Sequence, residues 1–542
     1  MFCPPLYQTG RTADTNPKEP MGLMYLAASL RESRRRVTIF DADIEARTIE
    51  QTIARIMQEN PRLVGFSVLQ RALPSFELIV NGLRERGFGG HITCGGITAT
   101  LSFPYILDRL GNNIDSVVLG EGENTITDLA ANLLTGADWH GTPGVAYLDR
   151  SAGIQVVNRR IDSVDLDLLP FASRDYLPFC LEKTNYATVL GSRGCWWGSC
   201  NFCSNNAFER WSGGSRWRGR SPIKLVDEMQ ELYEKYGVTI MKFNDPNIFG
   251  SGVEGRNHVV EFCREIERRR LPFHLMGFCR GDDITGDPSV IEDLKAGGFE
   301  RLLVGVESSD NETLRKFHKG ETIEGMNRAM DLLHEAQIST VIGFMIFNPY
   351  TTLNSLRKDL AFLRRRGEYP TLSKAMRVFD GTPIQRELER QGRLLKRNPF
   401  EGYHEYSMPA DIAAVYGSMK ILFVNCLDRI RAVGQDRIWD VKKARSFRDR
   451  QDFNSLAEAF FSVESSLLQD LILWTESGDY SLGTVTTSVD GLYERLRQIG
   501  KAISVDVDEV VSTANSTAAD IYRMMKERPQ TTFPEEYRWN AD

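Results

Sequence analysis

Between Tyr186 and Asp380 the chain repeats one pattern six times, a short β-rich run followed by a helical stretch. The runs are YATVLGSRG from Tyr186, TIMKFNDPN from Thr239, FHLMGFCR from Phe273, RLLVGVESS from Arg301, STVIGFMIFN from Ser339 and LSKAMRVFD from Leu372. The first intervening helix shows the local logic. Ser221 is a plausible N-cap, Pro222 suits the first helical position, Val226, Met229 and Tyr233 recur on one face, and Gly237 can close the end. Repeated right-handed βα units curl into a barrel or partial barrel, with reactive groups on the loops that follow the strands. A (β/α)6 partial barrel over residues 185–395 is therefore expected.

Directly after the first of these strands comes GSRGCWWGSCNFC, with Cys195, Cys200 and Cys203 inside nine residues of a chain holding only nine cysteines. Three thiolates can bind zinc, but structural zinc takes four ligands and no histidine or fourth cysteine lies in the loop. A 4Fe-4S cluster held by three cysteines leaves one iron open to a small chelating molecule. Three unrelated buried thiols are the bland alternative, and that alternative needs chance to gather them in one Gly- and Trp-containing loop at the barrel mouth.

The flanking segments differ from the barrel. In residues 1–150, runs such as VTIFDAD from Val37, LVGFSV from Leu63, HITCGG from His91 and SVVLGEGE from Ser116 alternate with amphipathic stretches, the mark of a flavodoxin-like doubly wound parallel sheet. Ligands of such sheets lie at the carboxyl ends of the strands, where Ser67, Gly95, Gly96 and the loop Gly120–Glu123, with Glu121, fall. Residues 151–184, rich in Asp and Pro from Asp162 to Lys183, read as a linker, and residues 396–542 as a helical carboxyl-terminal domain. The chain has 66 basic and 73 acidic residues and a net charge of −7, which gives no footprint for nucleic acid. Runs such as Arg34–Arg36 fit solvated helix ends. There is no apolar run of membrane-spanning length and no signal-peptide pattern, and scattered, odd-numbered cysteines suit a reducing compartment, so a cytoplasmic location is expected.

The cysteine triplet after the first strand, Phe202 before its last cysteine and the partial barrel resemble the radical S-adenosylmethionine (radical SAM) superfamily, whose usual spacing is CxxxCxxC. Here the first gap is one residue longer. RGCWWG and RWRGRSP, from Arg216 to Pro222, are similar to members that modify ribosomal peptides. With the amino-terminal sheet, residues 1–395 resemble the cobalamin-binding class, which includes the class B methyltransferases.

That resemblance implies three cofactors: a 4Fe-4S cluster on Cys195, Cys200 and Cys203, S-adenosylmethionine, and cobalamin on the amino-terminal sheet near Ser67, Gly95, Gly96 and Glu121. Asn244 and Asp245 would meet the methionine amino group, Arg280 the cofactor carboxylate, and Glu307 and Ser308 of GVESS its ribose or amino group. Each of these has the alternative of capping a helix or forming an ordinary ion pair. IFNPYTT stands where many relatives carry a Pro-Gly-Glu turn, and DADIEA at Asp41 lacks the histidine of the Asp-x-His-x-x-Gly cobalamin motif. The implied reaction uses one electron, from an external donor of flavodoxin or ferredoxin type, to cleave S-adenosylmethionine to a 5'-deoxyadenosyl radical. Cobalamin would then methylate an unactivated carbon, or phosphinate phosphorus, of a small molecule or peptide. A radical rearrangement, cyclisation or dehydration is the alternative, and a non-catalytic iron-sulfur protein an alternative of another kind. No catalytic side chain is singled out, and no nucleic-acid or membrane partner is expected.

Overall fold

The central strands of the amino-terminal sheet bury apolar residues on both faces, as buried parallel strands require. Its members are β1 (Phe2–Cys3), β2 (Phe40–Asp41), β3 (Leu63–Ser67), β4 (His91–Gly95), β5 (Ser116–Val118), β6 (Val145–Asp149) and β7 (Ile154–Val157). They lie in the order β2-β1-β3-β4-β5-β6-β7, parallel from β2 to β5 and antiparallel thereafter. The first five reproduce the 2-1-3-4-5 flavodoxin order, whose ligand crevice opens where the winding reverses, between β1 and β3. The sheet runs past residue 150, because the β6–β7 hairpin closes its edge. Asp149 fixes that turn by accepting from the Ser151 and Ala152 amides at 2.9 and 3.2 Å. The structure, a computed structural model, describes residues 2–3, 18–213, 216–397, 403–427, 451–502 and 513–527.

The second sheet contains β8 (Tyr186–Val189), β11 (Ile240–Phe243), β12 (His274–Cys279), β13 (Phe299–Glu307) and β14 (Ser339–Phe344), all parallel in the order β14-β13-β12-β11-β8. β9 (Ser192–Gly194) and β10 (Trp217–Gly219) form a separate antiparallel hairpin around the cysteine loop. Five of the six expected strands are therefore regular. The sixth, from Leu372, is reduced to single bridges, Phe347↔Ala375 parallel and Val378↔His404 antiparallel. β14 ends at Phe344 and the chain turns through Asn348 and Pro349, so little partner strand remains for the sixth run to pair with.

The helix Pro222–Tyr236 begins after Ser221 and ends at Gly237 in the left-handed conformation (φ 69°). Ser221 makes no side-chain cap, and its amide instead donates to Asp167 Oδ1 at 2.8 Å. Val226 and Met229 are fully buried, whereas Tyr233 is 37% exposed, the inner face being completed by Leu225 and Leu232. One continuous apolar core joins the barrel to the carboxyl-terminal helices Ala410–Leu422, Gln451–Ser477, Leu482–Ala502 and Ala514–Glu527. Leu363, Val415, Leu467 and Leu496 are all fully buried in it.

Residues 162–183 form a pinned strap between the two sheets. Arg174, nearly buried, donates to Glu19 at 2.9 Å and Glu228 at 3.0 Å, and Glu228 also pairs with the buried Arg220. Tyr176 Oη accepts from the Asp41 amide at 2.8 Å and donates to Glu45 at 2.5 Å. Among the described residues no helix is long and apolar enough to cross a membrane.

Candidate active site

The cysteine loop is held from three sides. Gly194, at φ +82°, lets β9 pass the Arg216 carbonyl where any Cβ would overlap it. Gly198 adopts φ +57° with Arg216 Cδ 2.8 Å from where its Cβ would stand, so the loop makes a left-handed turn between Cys195 and Cys200 that favours glycine. Trp196 Nε1 donates to Asp283 at 2.8 Å and Trp197 Nε1 to the His318 carbonyl at 2.8 Å, while Asn201 donates from its amide to the Phe317 carbonyl (3.1 Å) and from Nδ2 to that of Lys316 (2.9 Å). Phe202 meets Phe317 edge to face at 5.0 Å.

Cys203 occupies the N-cap position of the helix Ser204–Ser212 without a side-chain cap hydrogen bond, and burial raises its thiol pKa against the pull of the Asn206 and Asn205 amides. Burial pushes the Cys200 thiol up to about 12, against the pull of Lys319 and Arg280. Cys200 and Cys203 each feel the charge of another cysteine of the loop, Cys200 that of Cys203 and Cys203 that of Cys195. Among the described residues no three His, Cys, Asp or Glu side chains are gathered as one metal ion requires. The donor set fits a multi-iron cluster, whose ligands bind different irons, better than a single zinc.

The strand ends beside this loop divide the expected cofactor residues into two groups. Asn244, after β11, is exposed, and the structure gives its side chain no partner. Glu307, at φ +68° on a β-bulge, is also available for a ligand. Its Oε1 and Lys319 Nζ both lie over Gly305, 2.8 and 3.0 Å from where a Cβ would stand. Burial raises the Glu307 pKa, opposed by Lys319. Asp245, Arg280 and Ser308 are engaged within the protein. Asp245 accepts from the Gly191 amide (2.9 Å) and the Ser192 hydroxyl (3.1 Å), and burial pushes it up to about 7. Arg280 donates to Asp282 and the Lys319 carbonyl, and its guanidinium stands 5.2 and 4.8 Å from the rings of Trp196 and Trp197. Ser308 is fully buried and donates to Asp359 at 3.3 Å.

At the carboxyl edge of the first sheet, Ser67 and Gly95 are half-buried and Gly96 (φ +95°) is exposed, flanked by Leu69 at 55% and Ile97 at 38% exposure. An open backbone edge beside uncovered apolar side chains fits a large, partly apolar cofactor such as cobalamin. Glu121 is not on that open edge. It is buried and pairs with Arg193 at 3.1 Å and Arg218 at 2.6 Å, both from the β9–β10 hairpin, and it accepts from the Val164 amide at 3.0 Å. Glu123 adds a 2.5 Å pair to Arg193, and Glu209 lies 3.5 Å from Arg218. The helix Ser204–Ser212 packs on the helix Ile97–Leu101, and Gly120 has the Trp211 carbonyl 2.9 Å from where its Cβ would stand. The carboxyl edge of the first sheet therefore abuts the cysteine loop.

Sequence reasoning missed Lys319, only 4% exposed and paired with Glu321 at 3.2 Å, although a lysine in HKGET after the fourth strand was a readable signal. It also missed the Arg193 and Arg218 partners of Glu121, for which no local signal exists.

A family model described as the B12 binding domain matches residues 15–130, and one for the radical SAM superfamily matches residues 189–363. The chain is 29% identical over 329 residues to an anaerobic magnesium-protoporphyrin IX monomethyl ester cyclase of Synechocystis, a match covering 59% of this chain and 64% of that protein, just under two thirds. It is 25% identical over 349 residues to an uncharacterized methyltransferase, PH0819, of Pyrococcus horikoshii, covering 64% and 73%. In fold it is similar to the cobalamin-dependent S-adenosylmethionine radical enzyme OxsB with aqua-cobalamin bound, at a TM-score of 0.73 and 19% identity over 94% of this chain and 82% of that one.

Proposed function

Because the chain belongs to the cobalamin-dependent radical SAM superfamily, we propose that it is a methyltransferase acting on an unactivated carbon, or a phosphinate phosphorus, of a biosynthetic intermediate or peptide. The pair of domains implies a 4Fe-4S cluster, S-adenosylmethionine and cobalamin as cofactors. When bound, the cluster supplies the electron that cleaves S-adenosylmethionine and cobalamin carries the methyl group. Cys195, Cys200 and Cys203 hold the first, Asn244 and Glu307 with Lys319 face the second, and the edge at Ser67, Gly95 and Gly96 receives the third. Asp245, Arg280, Ser308 and Glu121 serve this arrangement as positioning residues that fix the loop and the strand ends.

The observation that carries the reading is the packing of the helix after Cys203 against the helix after β4, which brings the carboxyl edge of the first sheet beside the cysteine loop. A substrate between them is within reach of both. The relative named a cyclase favours a second reading, a cobalamin-assisted radical cyclisation or rearrangement. Reconstituted enzyme, incubated anaerobically with cobalamin and S-adenosylmethionine labelled in its methyl group, distinguishes the two on candidate acceptors. Label in the product, with both 5'-deoxyadenosine and S-adenosylhomocysteine formed, is expected. Deoxyadenosine formed with an unlabelled product sinks the methyltransferase reading.

A further inference from the structure

The barrel strands are buried unequally on their two faces. On β13 the outward Leu302, Val304 and Val306 are fully buried in the core shared with the helices, whereas Leu303 and Gly305 between them are only half-buried. β14 repeats the pattern, with Ile342 buried and Val341 and Gly343 half-buried, and Gly305 and Gly343 lie side by side in register. Alternation along a strand sends the half-buried residues to the inner face. Two neighbouring glycines leave that wall low, so the inner face borders an open chamber rather than a filled core.

The sixth run carries the same alternation into the chamber. Met376 and Val378 belong to the outer core, so Ala375, Arg377 and Phe379 face inward, and Arg377 is exposed there. Its guanidinium stands 5.4 Å from the Tyr403 ring, a contact that steadies the cation without using its N–H donors. Among the described residues this guanidinium makes neither a hydrogen bond nor an ion pair, and Glu405, across from it in the Val378↔His404 pairing, is engaged elsewhere. Asp380, three residues on, accepts from Ser102 at the end of the helix Ile97–Leu101, and Leu101 lies 3.2 Å from where a Cβ of Gly381 would stand. Arg377 is therefore about 10 Å down the run from the contact with the amino-terminal domain.

We propose that Arg377 makes the chamber selective for a small anionic substrate, one whose carboxylate or phosphate group lies away from the reacting atom; this rests on the reading that the substrate sits between the barrel mouth and the first sheet. A guanidinium presents paired N–H donors that match either oxyanion. Beside apolar Leu303 and Val341 such a pairing is stronger than in water, and an anion placed there without a cation would be penalised. The anchored end then sits deep in the barrel, and the reacting end points at the cofactor edges.

The test uses the full protein carrying cob(II)alamin, needs no turnover, and takes phenyl phosphate, benzoate and neutral benzyl alcohol as probes of similar size. Relaxation of the probe ring protons by the cobalt spin reports binding and nearness to the cofactor together. Both anions are expected to be relaxed more than benzyl alcohol. Arg377→Gln should weaken anion binding by about tenfold or more, Arg377→Lys should retain part of it, and Arg35→Gln, on the surface of the amino-terminal domain, should lose none. Tighter phenyl phosphate assigns a phosphate ester to the substrate and tighter benzoate a carboxylic acid, and either result supports the proposal. Anions bound equally by wild type and Arg377→Gln, or no better than benzyl alcohol, overturn it. Wild-type protein that takes up no cobalamin instead overturns the functional reading beneath it.

Discussion

Replacing Glu121 by Gln tests whether this residue joins the two domains, as its contacts indicate, or binds cobalamin, as its position after β5 suggests. Its side chain is 4% exposed and shared between Arg193 and Arg218, themselves 14% and 13% exposed. Removing one member of a buried ion pair costs about 3–5 kcal/mol. Two neighbours reduce that loss. Glu123 remains on Arg193 at 2.5 Å, and Glu209 stands 3.5 Å from Arg218. Glu209 is pushed up to about 7, first by burial and then by the charge of Glu121, so deleting that charge lets it ionise and take over Arg218. Glu121→Gln should therefore cost only about 1–2 kcal/mol, and Glu209→Gln close to nothing, while the double variant loses about 3–5 kcal/mol, more than the sum.

The pH dependence has a definite sign. Burial works to raise the Glu121 pKa, but Arg193, Arg218 and the Val164 amide outweigh it and the net shift is downward. Its contribution is complete above the ordinary value of 4.5 and fades as pH falls through the lower folded value. Glu209 is raised, so its contribution is complete below 4.5 and fades as pH rises through about 7. Urea unfolding of the anaerobic apo-protein, followed by tryptophan emission from about pH 2 to pH 8, covers the Glu121 window below 4.5 as well as the Glu209 window between 4.5 and about 7. Additive single and double variants, or a Glu121→Gln protein of unchanged stability that has lost cobalamin binding, would refute the reasoning.

Reconstituted wild-type protein should hold about four irons per chain, and Cys200→Ala should lose the iron and activity while its far-ultraviolet circular dichroism is unchanged. Gly194→Ala places a Cβ on the Arg216 carbonyl at a φ of +82°, so the hairpin must open. Iron content should fall, and unfolding in urea should show a loss of about 2 kcal/mol or more. Bound cob(II)alamin should show no superhyperfine splitting from a protein nitrogen. His91 begins β4, at the far end from Gly95, and His140 pairs with Asp138 at 2.6 Å. A histidine splitting in the electron paramagnetic resonance spectrum would contradict that placement.

The parallel strands were legible because burial on both faces leaves continuous apolar runs, as in LVGFS and RLLVGVE. The β6–β7 hairpin was not, since an edge pair with Ile154 57% exposed carries little apolar signal. The sixth barrel run had the right composition, but a ladder depends on what the neighbouring strand offers, and β14 stops too early. Within the site, Cys195, Cys200 and Cys203 could be read because all three belong to one loop. The positions of Asp245, Arg280, Ser308 and Glu121 at strand ends were equally legible, but not what they bond to. Arg193 and Arg218 lie 70 and 97 residues from the carboxylates they meet, a pairing that only the packing of one sheet on the other creates. Lys319, by contrast, follows β13, the strand that carries Glu307, and its HKGET segment was a readable signal.

The central claim is that one chain sets cobalamin beside the cluster, across the contact of the helices Ile97–Leu101 and Ser204–Ser212. The direct measurement is the electron paramagnetic resonance signal of cob(II)alamin bound to this protein, recorded with the cluster oxidised and then with it reduced to its paramagnetic state. The predicted result is dipolar broadening and faster relaxation of the cobalt signal on cluster reduction, absent in Cys200→Ala. A cobalt signal that is identical in the two cluster states would contradict the claim.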